Sequence, residues 1–185
     1  MSALDSPVSI TLLLGSPNRQ GHSVAVADVV LSAAGDRCRV ERHDALPENQ
    51  PALAALERSD AVLFAAPTYR ETYPGTLKSF LDSLPRGGRG EGTAPLAGKP
   101  VGIILTGATA HHFLALNSVH GLLTGGFAAF VVPVSIYAHH AHFGPDSTVT
   151  DPELRARAEL LGRTLVTTAR LLRGCPELRA LRPQI

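Results

Sequence analysis

Five apolar runs punctuate this chain at intervals that leave room for a helix between each pair: VSITLLL (8–14), RCRVERH (37–43), DAVLFAA (60–66), PVGIILT (100–106) and AFVVPVSIY (129–137). Three of the five are nearly continuous in apolar residues. Successive side chains of a strand point to opposite faces, so such a run must be covered on both sides. The second run alternates polar and apolar residues and suits a sheet edge. Between the runs, residues 23–34, 51–58, 75–84, 111–123 and 152–173 have helical spacing or helix-forming composition. Over 75–84, Leu77, Phe80, Leu81 and Leu84 fall at i, i+3, i+4 and i+7, a single stripe. In the last helix Leu154, Ala158, Leu161, Leu165, Ala169 and Leu172 form a similar stripe, with Arg155, Arg157, Arg163 and Arg170 largely off it on an expected solvated face. Strands alternating with helices predict an α/β protein, a three-layer α/β/α sandwich with a five-stranded parallel sheet joined by right-handed crossovers. At 185 residues the expectation is a single domain, 1–185.

Composition closes off several alternatives. Apolar residues make up 44% and charged residues 18%, too apolar for a disordered chain. Seventeen basic against sixteen acidic side chains give a formal net charge of +1, which points to neither nucleic acid nor a membrane surface. The N-terminus lacks a basic leader region, and no apolar stretch approaches the roughly 18 residues that suggest a membrane span. Cys38 and Cys175 show no CxxC or metal spacing. Inert thiols in a reducing, cytoplasmic compartment fit them.

Ligands of open α/β sheets bind at the carboxyl ends of the strands, near the topological switch point. The loops after the first, third and fourth strands are therefore the candidate ligand-binding segments. After the first strand, GSPNRQGHS (15–23) runs into a helix at about Ser23. It reads either as a phosphate cup at a helix N-terminus or as a turn with a Ser cap. It matches neither GxxxxGK[ST] nor GxGxxG. After the third strand, APTYRETYPGTLK (66–78) places Tyr69, Arg70 and Tyr73 ahead of a helix start at Pro74-Gly75, with Thr72 expected to help cap it. The tyrosines either pack locally or line a pocket for a planar ring. After the fourth strand, TGATAHH (106–112) offers small residues that let a ligand approach the backbone. His111 and His112 are adjacent and diverge on a helix. The cluster His139, His140 and His142 has no carboxylate or Cys framework, so no metal site is expected. GGRGEG (87–92) follows a helix and is no dinucleotide fingerprint, and a GxSxG elbow is absent. A cup, a ring-lining segment and a small-residue loop together describe a site for a mononucleotide with a planar head, most naturally FMN.

These residues carry a family resemblance. GSPNRQGHS (15–23), PTYRETYPGTLKSFLD (67–82) and LTGATAHHFLAL (105–116) make the chain, from about residue 8 to residue 140, resemble the NADPH-dependent FMN reductases, flavodoxin-like flavoproteins, and among them the reductase components of two-component alkanesulfonate monooxygenases. The resemblance implies sheet order 2-1-3-4-5 and hydride transfer from NADPH or NADH to FMN. It further implies delivery of reduced flavin to a monooxygenase or another acceptor, by a homodimer or homotetramer assembled through the helix after the third strand, with Leu77, Phe80 and Leu84 as interface candidates. The same stripe would serve equally as intrachain core. The resemblance implies that Ser16, Asn18, Arg19 and Ser23 surround the FMN phosphate. Arg19 is the candidate for a charge that relatives often carry where this chain has Asn18. Pro67, Thr68, Tyr69 and Arg70 are implied beside the isoalloxazine, and Thr106, Gly107, Ala108 and Thr109 against its pyrimidine side. No side chain is assigned as a catalytic acid or base, because the cofactors carry the hydride chemistry. Rival readings are an FMN-bound quinone or azo-compound reductase and a flavodoxin-type electron carrier. Two departures stand out: the sulfonate-linked reductases have an additional tyrosine absent around Leu116, Asn117 and Ser118, and PRGGRGEGTAPLA (85–97) is a longer loop.

Overall fold

A computed structural model describes residues 6–16, 18–87 and 92–183; Pro17 and part of the glycine-rich loop, 88–91, lie outside the described residues. The elements run β1 (Val8–Leu14), α1 (His22–Ala34), β2 (Cys38–Asp44), α2 (Gln50–Arg58), β3 (Ala61–Pro67), α3 (Gly75–Ser83), β4 (Pro100–Gly107), α4 (Ala115–Gly121), β5 (Phe130–Val131), β6 (Ile136–His139), α5 (Pro152–Arg173) and α6 (Pro176–Arg179). The strands pair in parallel in the order β2-β1-β3-β4-β5, with β6 also on β4.

The pleat of β3 explains why its sequence is apolar at every position. Ala61, Leu63 and Ala65 join the core beneath α1 and α5, while Val62, Phe64 and Ala66 join the core beneath α2, α3 and α4. Each residue thus serves one of two layers, and burying a full aliphatic side chain in this way contributes about 2 kcal/mol. At the edge of the sheet, β2 leaves Arg39, Val40, Glu41 and Arg42 all exposed, so the alternation in its sequence is not matched by alternating burial.

The expected fifth strand is broken. Phe130–Val131 pairs with Pro100–Val101, and Ile136–His139 pairs with Ile104–Gly107. Pro133 lies in the gap and has no N–H to give the ladder. The guanidinium of Arg157 donates twice to the Ser135 carbonyl there, at 3.0 and 2.9 Å. Arg155 likewise donates to the Val149 carbonyl at 2.8 Å. These two arginines therefore hold loops, and only the expectation of a purely solvated face fails.

The helix expected over 111–123 has three parts: a 3₁₀ turn at Ala110–Leu114, α4, and a π-helical turn at Leu122–Gly126. Elsewhere the ends follow local chemistry. Asn49 caps α2 by accepting from Ala52, Asp151 caps α5 by accepting from Leu154, and the Lys99 ammonium donates to the Leu56 and Glu57 carbonyls that end α2. Leu77, Phe80 and Leu84 are buried within the chain, which takes them out of consideration as a subunit contact.

The amino-terminal edge of the sheet is clamped by Asp60. Arg173 donates to both its carboxylate oxygens, at 3.1 and 2.6 Å, and Ser9 adds an N–H and a hydroxyl. Burial pushes this carboxyl up, but the hydrogen bonds from Arg173 and Ser9 outweigh it and hold it below its ordinary range.

The α1–α5 layer depends on one glycine. A Cβ on Gly162 would collide with the Val30 carbonyl of α1 and stand 3.1 Å from the Ala34 nitrogen. Gly162→Ala should therefore destabilise the fold by about 1–3 kcal/mol through backbone displacement, despite alanine's better helix propensity; urea unfolding monitored by circular dichroism measures it.

Candidate flavin site

The carboxyl ends of β1, β3 and β4 open on a cavity of about 650 Å³. Ser16, Asn18, Gln20, Gly21, His22 and Ser23 line it from the first loop, Pro67, Thr68 and Tyr69 from the second, and Thr106, Gly107 and Ala108 from the third, with His140 and Ser147 closing one side. The volume is in the range of small-molecule and cofactor pockets, roughly 300–1,000 Å³.

The first loop can turn so tightly because of Gly15. A Cβ there would lie 2.6 Å from that of Ala66, so only glycine lets β1 leave the sheet beside β3. Within the loop, Ser16 Oγ accepts from the Asn18 N–H at 3.2 Å and Asn18 Oδ1 accepts from Gln20 N–H at 3.0 Å. The helix then starts one residue earlier than expected, at His22, with Gly21 as its N-cap and no side-chain cap. Ser23 is thus not the cap. It is 4% exposed and lines the cavity, while the orphan amides of the first turn lack a side-chain acceptor. Arg19 points elsewhere: its guanidinium meets Asp44 at 2.7 Å, at the end of β2, and it lines a neighbouring cavity.

The second loop is a miniature hairpin. Tyr69 and Thr72 exchange backbone hydrogen bonds at 2.8 and 3.3 Å, and the two residues between them, Arg70 (φ 49°) and Glu71 (φ 68°), are both left-handed. Two such central residues make a type I′ turn, which normally favours Asn-Gly. Non-glycine residues pay about 1 kcal/mol each for it. The turn accounts for Thr72, which pairs with Tyr69 while Pro74 takes the N-cap position of α3. It also carries Arg70 to the tip, away from the cavity lining, and leaves Tyr69 59% exposed at the mouth. Tyr73 packs against the core beneath α3, where burial raises its phenol.

A tyrosine outside the expected set joins the second and third loops. The Tyr137 hydroxyl, on β6, donates to the Thr109 carbonyl at 2.6 Å, and the Thr106 carbonyl accepts from Thr68 N–H at 2.6 Å and from its hydroxyl at 3.2 Å. Gly107 sits in the angle: a Cβ there would strike the Tyr137 hydroxyl and Thr68 Oγ1. Thr109 thus contributes through its backbone and lies behind the cavity lining. The strand-end rule, applied to the fifth run as well as the first four, points to Tyr137.

Histidines make the remaining wall. The ring of His22 stacks on Phe143 with centroids 3.9 Å apart and planes 5° apart, and His140 meets it edge-on at 6.2 Å. Burial, and then His140, push His22 below its ordinary value. His139 and His142 form a separate pair, with the His139 N–H donating to His142 Nδ1 at 3.0 Å. Among the described residues no group of three or more His, Cys, Asp or Glu side chains is placed to hold a metal ion.

A parallel 2-1-3-4-5 sheet with helices on both faces and a cavity at its carboxyl edge defines a flavodoxin-like α/β protein. The chain belongs to the NADPH-dependent FMN reductase family, whose model matches residues 8–143. It is 26% identical over 175 residues to an FMN reductase (NADPH) of Pseudomonas aeruginosa, covering 85% of this chain and 90% of that one. It is 27% identical, again over 175 residues, to the NADH-dependent FMN reductase SfnF of Pseudomonas fluorescens, covering 85% and 89%. The apo form of the NADH:FMN oxidoreductase EmoB shares the fold, with a TM-score of 0.68 at 23% identity over 89% of each chain.

The cavity suits the family's cofactor. Ser16, Asn18 and Ser23 together with an uncapped helix N-terminus could donate to a phosphate, and no carboxylate is among the described residues lining the cavity. Gly107 and Ala108 add little side-chain bulk to the lining, which leaves room for a ring to approach the backbone there. Tyr137→Phe deletes the hydroxyl that ties the third loop down. FMN affinity should fall about fivefold, the equivalent of one hydrogen bond near 1 kcal/mol, with the circular dichroism spectrum unchanged; fluorescence titration with FMN measures it.

Proposed function

We propose that this protein is an NAD(P)H-dependent FMN reductase that takes hydride from a reduced nicotinamide nucleotide and releases reduced flavin to a flavin-dependent monooxygenase or another acceptor. The observation that carries the reading is the convergence of the loops after β1, β3 and β4 on one cavity, lined by Ser16, Asn18 and Ser23 from the first and by Gly107 and Ala108 from the third. In this reading Ser16, Asn18, Ser23 and the first turn of α1 hold the phosphate. Pro67, Thr68 and Tyr69 flank the isoalloxazine, and Thr106, Gly107 and Ala108 lie under its pyrimidine side. Arg19 and Arg70 act from the periphery, the first by anchoring the phosphate loop to Asp44.

FMN, when bound, supplies the hydride-accepting ring. The chain's own contribution is to orient that ring and leave one face open for the nicotinamide, which converts an encounter in solution into a stacked, reacting pair. No side chain has to move a proton, so none is named as an acid or base.

A cytoplasmic homodimer or homotetramer belongs to the same proposal. Cys38 and Cys175 are both free, as a reducing compartment would keep them, and no helix among the described residues is long and apolar enough to cross a membrane. The assembly surface lies outside the Leu77, Phe80 and Leu84 stripe.

With excess FMN, the purified protein should oxidise NADPH or NADH at a rate that rises with FMN concentration, followed by the loss of nicotinamide absorbance. No oxidation of either nucleotide would contradict the reading.

A further inference from the structure

The site's positive charge is conspicuous for where it lies. A bound FMN phosphate carries between one and two negative charges at neutral pH. Among the described residues lining the cavity there is no lysine or arginine. Arg19 is engaged with Asp44 at 2.7 Å, and Arg155, which lines the neighbouring cavity, is committed to the Val149 carbonyl. The side chains in the lining that can take positive charge are His22 and His140, beside the hydroxyls of Ser16 and Ser23.

We propose that His22 is the proton-dependent half of phosphate recognition, taking up a proton as the flavin phosphate docks at the start of α1, with His140 as the second imidazole facing that charge. The inference rests on the FMN reading above. His22 is the first residue of α1, and Phe143 fixes its ring by stacking, so its position is set by packing whether or not it is charged. The other charged and titratable groups around it are spoken for. His139 is paired with His142, Asp146 accepts from the Thr148 hydroxyl and N–H at 2.6 and 3.1 Å, and Asp28 on α1 meets Arg42 at 2.7 Å. Burial and the neighbouring His140 disfavour the imidazolium of His22 when no anion is present. A phosphate at the helix start reverses that balance, because it adds an opposite charge where the helix dipole already favours one. Binding therefore takes up a proton, and FMN is held more tightly below the resulting His22 value than above it. Riboflavin, which has the same ring system and no phosphate, is blind to this switch.

The test compares dissociation constants for FMN and riboflavin, by quenching of flavin fluorescence, from about pH 6.5 to about pH 8.5, a window in which the phosphate is mostly dianionic. In the wild-type protein the FMN constant should rise about tenfold across the window while the riboflavin constant stays level. His22→Gln should bind FMN weakly throughout with a shallower slope, and His22→Arg should bind it tightly at both ends with little slope. A wild-type ratio of FMN to riboflavin affinity that does not change with pH overturns the role of His22 and leaves the flavin site standing, whatever the variants do. An unchanged slope in a folded His22→Gln protein overturns it as well. If neither flavin binds at any pH, the flavin reading itself fails and this inference with it.

Discussion

A parallel strand covered on both faces satisfies its backbone only within the sheet, so β1, β3 and β4 cannot bend until they pass the edge of the core. Their residues alternate between two apolar layers along their length, as β3 shows most clearly. The chain becomes free to turn only at Gly15, Pro67 and Gly107, which end up side by side at one edge. The cavity follows from that confinement. Its wall is made of the first residues that no longer have to be apolar, and its shape is set by close approaches that only glycine permits at Gly15 and Gly107.

The same edge stores the structure's unfavourable terms. Arg70 and Glu71 hold left-handed conformations without glycine's freedom, and α1 begins without a side-chain cap. Neither feature stabilises the free protein. Both make sense beside a ligand, which can repay an uncapped helix start with an anion and a rigid hairpin with a ring. The opposite edge, where Asp60, Ser9 and Arg173 satisfy one another, carries stability, and the cavity beside Asp60 and Arg173 is only about 20 Å³. Stability and binding are thus separated along the strand axis.

Much of this architecture could be read from the chain alone because apolar periodicity is a local signal. The runs at 8–14 and 152–173 coincide with β1 and α5 to the residue. The loops were legible because strand ends in such sheets are where ligands bind. What escaped depends on particular backbone and side-chain contacts that apolar periodicity does not encode. Pro133 in the fifth run marks a break, yet only the pairing of both pieces with β4 shows that the sheet continues across it. Thr72 looks like a helix cap until its backbone pairs with Tyr69. Arg155 and Arg157 look like surface charge until loop carbonyls 6 and 22 residues away accept from them. Tyr137 belongs to no motif and His22 sits within the 15–23 loop as an unassigned position; their place at the site comes from the register of β6 and the stacking of Phe143.

If the fold works as described, three separate loops form one flavin site at the carboxyl edge of the sheet. Amide chemical-shift mapping on titration with FMN tests it most directly, since it reads every backbone position at once. The largest changes should fall on 15–23, 67–72 and 106–109 together, saturating with a single affinity. Changes concentrated at the opposite edge, around Asp60 and Arg173, with those three loops unmoved, would contradict it.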